Sequence, residues 1–332
     1  LGEKELSVVN SIFVSVPSLD DSEIVPTVVN CLSESSGENE IHIGIAYSVI
    51  FNSKKKVNKL RSELEKYPNV QIKSQNFNNH TGVGFGRLAA HSLYNGEDYF
   101  LQIDSHTLFT PSWDKKIIVE YSDAVKEYGE RVALTGYLPK YRYNGVGMDN
   151  RKPNDTHRIM KAAFSRDDKS FSARHEGCSV CKTWEMLPFW DNEDLTEEDV
   201  QRRYIKADKV SAGFIFSDSK FAESYKDYFP FVYRFFEEEI VMSIEMVQRG
   251  YKLIQPTISG LMYHLYYSDI NEYGGARENI GDPIIEKHKN SIQSIIYSYF
   301  INNKESVSNY EQYANIDIQS LVEKWGIENV RK

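Results

Sequence analysis

The chain has 332 residues, a formal net charge of −9 and an ordinary globular composition, enough to bury one large α/β core or two smaller ones. The acidic balance argues against a general nucleic-acid binder, which needs a basic face to neutralise phosphates, and three cysteines exclude a disulfide framework. The sequence holds no apolar run long enough to span a bilayer and opens on LGEKELSVVN, without a signal-peptide pattern, so a cytoplasmic location is the expectation.

In chain order, SIFVSVPS (11–18) reads as a buried strand. The next stretch, LDDSEIVPTVVNCLSES, has acids and Pro26 near its start and an apolar stripe at Ile24, Val28, Cys31 and Leu32, as a helix should. IHIGIAYSVI (41–50) is a second strand, 54–66 a charged helix, and NVQIKSQNF (69–77) a third strand. TGVGFGRLAAHSLYN (81–95) reads as a glycine-rich turn entering a helix, and DYFLQID (98–104) as a fourth strand. Strands that alternate with helices predict a mostly parallel sheet covered on both faces, with ligands bound beyond the carboxyl ends of the strands. Asp104 falls at such an end.

An amphipathic helix (112–129) and a strand (131–139) follow; from about 141 to 206 the periodic pattern dissolves, as in long functional loops. Order returns with a strand and helix over 210–224, the helix of FFEEEIVMSIEMVQRGY and the strand-like GLMYHLYYSD. Two helices with a polar link near 302–308 are expected to close the chain.

Five features could carry chemistry. Asp104 and His106 stand two apart on an extended end, so both side chains can meet one ion, and carboxylate plus imidazole suits Mn²⁺ better than Ca²⁺. The plain alternative is a turn in which Asp104 is a cap. GVGFG (82–86) resembles a phosphate cradle but lacks the Lys-Ser/Thr of a P-loop, and Arg87 behind it opposes the helix dipole, which calls for an anionic partner or an exposed position. Glu237–Glu239 open a helix, where acids are ordinary dipole chemistry, and His264 in MYHLYY could be a core histidine. His175, Cys178 and Cys181 (HEGCSVC) offer three zinc-type ligands where a structural site wants four, and reduced thiols are the default. Cys31 reads as core.

In their order, these blocks resemble the GT-A-fold nucleotide-sugar glycosyltransferases, and among them the polypeptide α-N-acetylglucosaminyltransferases that include hydroxyproline-modifying enzymes. The blocks are IFVSVPSLDDSEIVPTVVNCL, GRLAAHSLYNGEDYFLQIDSHTLFTPSWD, ALTGYLPKY, SAGFIFS, FFEEEIVMSIEMVQRGY and YHLYY, covering roughly 10–270 apart from 141–206. The resemblance implies an α/β fold of the GT-A, Rossmann-like type over 1–284, with 141–206 as an acceptor-side insertion and 285–332 as a helical extension. It implies that Asp104, His106 and His264 hold Mn²⁺, that Arg87, Ser15, Asp104 and Ser105 meet a UDP-sugar donor, and that Glu238 and Glu239 orient the acceptor. The family often has Gly where this chain has Glu237, which could alter acceptor choice.

The implied activity is a retaining, metal-dependent transfer of a sugar, N-acetylglucosamine by preference, from UDP to a hydroxyl on a protein. The alternatives are another donor, a glycan or modified-nucleobase acceptor, or a catalytically idle sugar-binding module. A DNA acceptor would need a basic face built from Lys140, Arg142, Arg151, Lys152, Arg158, Lys161, Arg166 and Arg174.

Overall fold

The alternation of apolar runs and amphipathic stretches becomes a mostly parallel sheet with helices on both faces. The computed structural model describes residues 9–49, 53–76, 83–143, 151–153, 160–164, 190–194, 196–228, 237–257, 260–266 and 297–320. Strands β1 (Ser11–Leu19), β2 (Glu40–Val49), β3 (Val70–Asn76) and β4 (Tyr99–Ile103) run parallel. Between them lie α1 (Ile24–Ser33), α2 (Lys54–Leu64) and α3 (Val83–His91). Next come β5 (Thr107–Phe109), α4 (Trp113–Tyr128) and β6 (Val132–Thr135). The aperiodic stretch contains short pieces: β7 (Tyr141–Tyr143), β8 (Arg151–Pro153), β9 (Met160–Phe164), β10 (Trp190–Asp194), α5 (Glu197–Gln201) and β11 (Tyr204–Lys206). The chain continues through β12 (Phe214–Asp218), α6 (Ser219–Glu223), a 3₁₀ turn at Tyr225–Tyr228, α7 (Glu237–Gln248), β13 (Lys252–Pro256), β14 (Met262–His264) and α8 (Lys304–Ala314).

The main sheet has the order β11-β13-β6-β12-β4-β1-β2-β3, with β12 antiparallel to β4 and β6, and β11 antiparallel to β13. The chain steps from β1 outward to β2 and β3, then returns to place β4 on the other side of β1. The order therefore reverses between β1 and β4, and a crevice opens beyond their carboxyl ends. Alternation along the strands divides the core. Val14 and Val16 of β1 face α1, α2 and α4, where Trp113, Ile117, Tyr121 and Ala124 repeat every three or four residues along one stripe. Phe13 and Phe100 face the other way, toward α6, α7 and α8. Each fully buried large apolar side chain contributes roughly 1.5–3 kcal/mol to this sandwich.

Two expectations change. The polar link near 302–308 is mostly helix: α8 starts at Lys304, because Val307, Tyr310 and Ala314 form a stripe that packs against the core beside α7. In the glycine-rich stretch, Gly84 and Gly86 are helical and buried inside α3, while Thr81 and Gly82 lie outside the described residues. Gly86 packs beside Pro17 of β1, where an added Cβ would stand 3.4 Å from Pro17 Cβ, an ordinary contact.

Candidate functional site

The strand β4 ends at Ile103, and the next three residues, Asp104, Ser105 and His106, turn the chain into β5. Helix α1 holds that turn: Thr27 Oγ1 donates to the Ser105 carbonyl at 2.9 Å and accepts from the Thr107 amide at 3.1 Å, and Asn30 Oδ1 accepts from the Phe109 amide at 2.6 Å. Strand β14 pairs antiparallel with β5, with His264 opposite Thr107, and the Leu265 amide donates to the His106 carbonyl. This pairing delivers His264 from 160 residues away: its Nε2 lies 3.1 Å from Asp104 Oδ2. Ligand atoms of Asp104, His106 and His264 all fall within 4.8 Å of one another. A separation of about 3 Å is that of neighbouring ligands around an octahedral ion with bonds of roughly 2.1 Å.

Arg87 closes the other side of Asp104. It is 3% exposed; its Nη2 lies 3.5 Å from Asp104 Oδ1 and 3.7 Å from Glu238 Oε1, and its Nη1 donates to the Ala212 carbonyl at 2.9 Å. Burial alone would raise the pKa of Asp104, but the hydrogen bond to His264 and the charge of Arg87 overcome it and hold the carboxyl well below its usual range. The anionic form is the one a cation needs. Glu238 goes the other way: burial first, then Glu239, push it up to about 8 against the pull of Arg87. Its Oε2 is buried and has no hydrogen-bond partner among the described residues. Glu239 is locked, with Oε1 accepting from the Ala212 amide at 2.8 Å and Oε2 paired with Lys209 Nζ at 3.0 Å.

Asp104, His106, His264, Arg87, Glu238 and Glu239 thus converge from four separate segments. The cation that opposes the α3 dipole has its anions, and it is not a surface residue. Glu238 and Glu239 face inward rather than simply flanking a helix start. Ser105 joins the site, although its hydroxyl is committed to Asp21 Oδ2 at 2.6 Å. Ser15 lies in mid-strand, paired with Gly44 and Gln102 and 0% exposed. The side chains of Glu237, Arg151, Lys152, Arg158, Lys161, Arg166 and Arg174, and the His175, Cys178 and Cys181 set, lie outside the described residues.

Sequence reasoning missed four contributors. Asp21 accepts from Ser105 and contacts His106 Nδ1 at 2.7 Å; despite burial, the His106 contact lowers it to about 2. Lys209, Gly213 and the Ala212 carbonyl, which also accepts from Gln102 Nε2 at 2.6 Å, are the others. The one available signal was KVSAG, a lysine two residues ahead of a small-residue turn.

A sequence model of the family described as Glycosyltransferase (GlcNAc) matches residues 48–272. No curated protein matches the chain by sequence. Among solved structures, a crystal structure of GalNAc-T7 with UDP, GalNAc and Mn²⁺ superposes with a TM-score of 0.53 at 15% identity. The superposition covers 79% of this chain and 45% of that one, so the chain spans less than half of that protein's length. The likeness is one of fold. Among the described residues no helix is long and apolar enough to cross a membrane.

Proposed function

The chain belongs to the glycosyltransferase (GlcNAc) family, and from that premise we propose that it moves N-acetylglucosamine from UDP to a hydroxyl, on a protein, with retention of configuration and with Mn²⁺. The observation that carries this reading is the convergence of Asp104, His106 and His264 within 4.8 Å at the strand-order reversal, with Arg87 on the same carboxylate. One carboxylate and two imidazoles suit Mn²⁺ and similar ions rather than Ca²⁺, which takes oxygen ligands. The similarity in fold to a protein crystallised with UDP and Mn²⁺ supports the donor class.

A cation held by these three residues would offset the negative charge that builds on the departing diphosphate. The remaining work falls to the chain's own groups. Arg87 is a second positive charge, pre-placed and dry, so it needs no reorganisation as charge develops. Burial and Glu239 push the Glu238 carboxyl up to about 8; a carboxyl that keeps its proton can donate to a sugar or acceptor oxygen, whereas a carboxylate could only accept. Glu239 is held by Lys209 and the Ala212 amide, and it fixes the loop that presents the Ala212 carbonyl to Arg87. In a retaining transfer the acceptor attacks from the face that UDP leaves. A leaving phosphate oxygen can then take the hydroxyl proton, and neither glutamate has to be a base.

The test is UDP release from a panel of UDP-sugars with Mn²⁺ or with chelator. Metal-dependent release, greatest with UDP-N-acetylglucosamine and abolished in Asp104→Ala, is expected. No metal-dependent turnover or binding with any donor would overturn the reading.

A further inference from the structure

We infer that Asp21 is a positioning residue for the metal site: its carboxylate holds the His106 ring with the proton on Nδ1 and directs Nε2 toward Asp104 and His264. The inference builds on the metal reading above and adds a residue from a different strand end. Asp21 Oδ2 lies 2.7 Å from His106 Nδ1 and accepts from Ser105 Oγ at 2.6 Å, while Oδ1 accepts from the Glu23 amide at 2.8 Å. Both carboxylate oxygens are therefore fixed, one by its own turn and one by the motif it serves.

The backbone explains how β1 supplies this group. Asp20 has φ of 48°, a left-handed conformation unusual outside glycine, directly after the strand. That turn separates two successive carboxylates. Asp20 is taken by Tyr47 and Lys56 near the end of β2, and Asp21 reaches the 105–106 turn.

An ionised carboxylate accepts hydrogen bonds and donates none, so the contact assigns the imidazole proton to Nδ1. The nitrogen the ring then offers a cation is Nε2, and a carboxylate behind a metal-binding histidine also raises its basicity. Asparagine has the same shape but can donate from its amide to Nδ1, which favours the opposite tautomer.

The experiment uses the full chain, wild type and Asp21→Asn. Mn²⁺ binding is titrated calorimetrically, and the His106 ring nitrogens are read by ¹⁵N NMR on the metal-free protein at a pH that keeps the ring neutral. We expect the proton on Nδ1 in the wild type, a changed pattern in the variant, and Mn²⁺ affinity reduced by roughly 10–100-fold. A wild-type proton on Nε2, or a variant that binds Mn²⁺ within about twofold of wild type, would overturn the inference. A wild type that binds no Mn²⁺ would instead sink the metal reading, while the ¹⁵N spectrum, which needs neither metal nor variant, still decides the role of Asp21.

Discussion

Gly213 abuts the carboxylate of Asp104: a Cβ at position 213 would stand 2.9 Å from Asp104 Oδ2 and 3.9 Å from His264 Cδ2. Asp104 cannot yield freely, because Arg87 and His264 hold its two oxygens. Gly213→Ala should therefore displace the carboxylate and weaken Mn²⁺ binding by about tenfold, roughly 1.4 kcal/mol. Crowding should cost about 1–3 kcal/mol of stability. A Mn²⁺ titration and a denaturant melt check the two halves separately, and unaltered metal affinity would show that Asp104 is not the ligand assigned here.

Arg87 makes contacts at both ends of its fork, with the Ala212 carbonyl on Nη1 and two carboxylates on Nη2. Lysine keeps the charge but is a single point and cannot span them. Arg87→Lys should lower kcat/KM for the donor by about 10²–10³-fold, the range seen when one pre-placed stabilising donor is lost. Mn²⁺ affinity should change much less, since Asp104, His106 and His264 remain. Steady-state kinetics at saturating Mn²⁺ test this, and a loss confined to metal affinity would contradict it.

The layered fold was legible in the sequence because periodicity reports it directly. Residues such as Val14, Val16, Ile117 and Ala124 announce both their element and the face they bury. Two of the three residues of the candidate metal site were legible for a local reason, as Asp104 and His106 share one strand end. On its own residues His264 read as a core histidine, and only the family resemblance made it a ligand, because it is the β5–β14 pairing that brings it beside Asp104. The glycines at 84 and 86 looked like part of a phosphate loop by their spacing, but both lie buried inside α3, and spacing alone does not distinguish a loop glycine from a helical one. Asp21 and Lys209 were invisible because their partners, His106 and Glu239, are 85 and 30 residues away, and nothing local marks either as part of an interior network.

Glu238 gives the metal-free protein a pH dependence with a definite sign. Burial raises its pKa from an ordinary 4.5 to about 8, so between those values the folded protein keeps a proton that the unfolded chain has lost. Stability contributed by this group is fully present below pH 4.5 and is lost as pH rises through about 8, with a slope of at most ~1.4 kcal/mol per pH unit. Glu238→Gln cannot ionise and should flatten that slope, leaving the variant more stable than wild type above pH 8. Urea denaturation across the pH range decides it, and parallel curves for the two proteins would contradict the assignment.

Lys209 is 0% exposed and its ammonium lies 3.0 Å from Glu239 Oε2, with the Tyr137 hydroxyl also accepting from it. Burial pulls its pKa down to about 8 against the attraction of Glu239, so the ammonium keeps its charge at neutral pH. A buried pair of this kind adds little over an apolar pair, but removing one partner strands the other charge. Lys209→Met should therefore destabilise the protein by about 3–5 kcal/mol. It should also slow transfer, because Glu239 anchors the Ala212 amide beside the carbonyl that Arg87 holds. The double variant Lys209→Met with Glu239→Gln removes both charges and should recover most of the lost stability without recovering activity. Chemical denaturation read beside UDP release separates the two effects. Equal recovery of both would mean that the pair supports the fold alone.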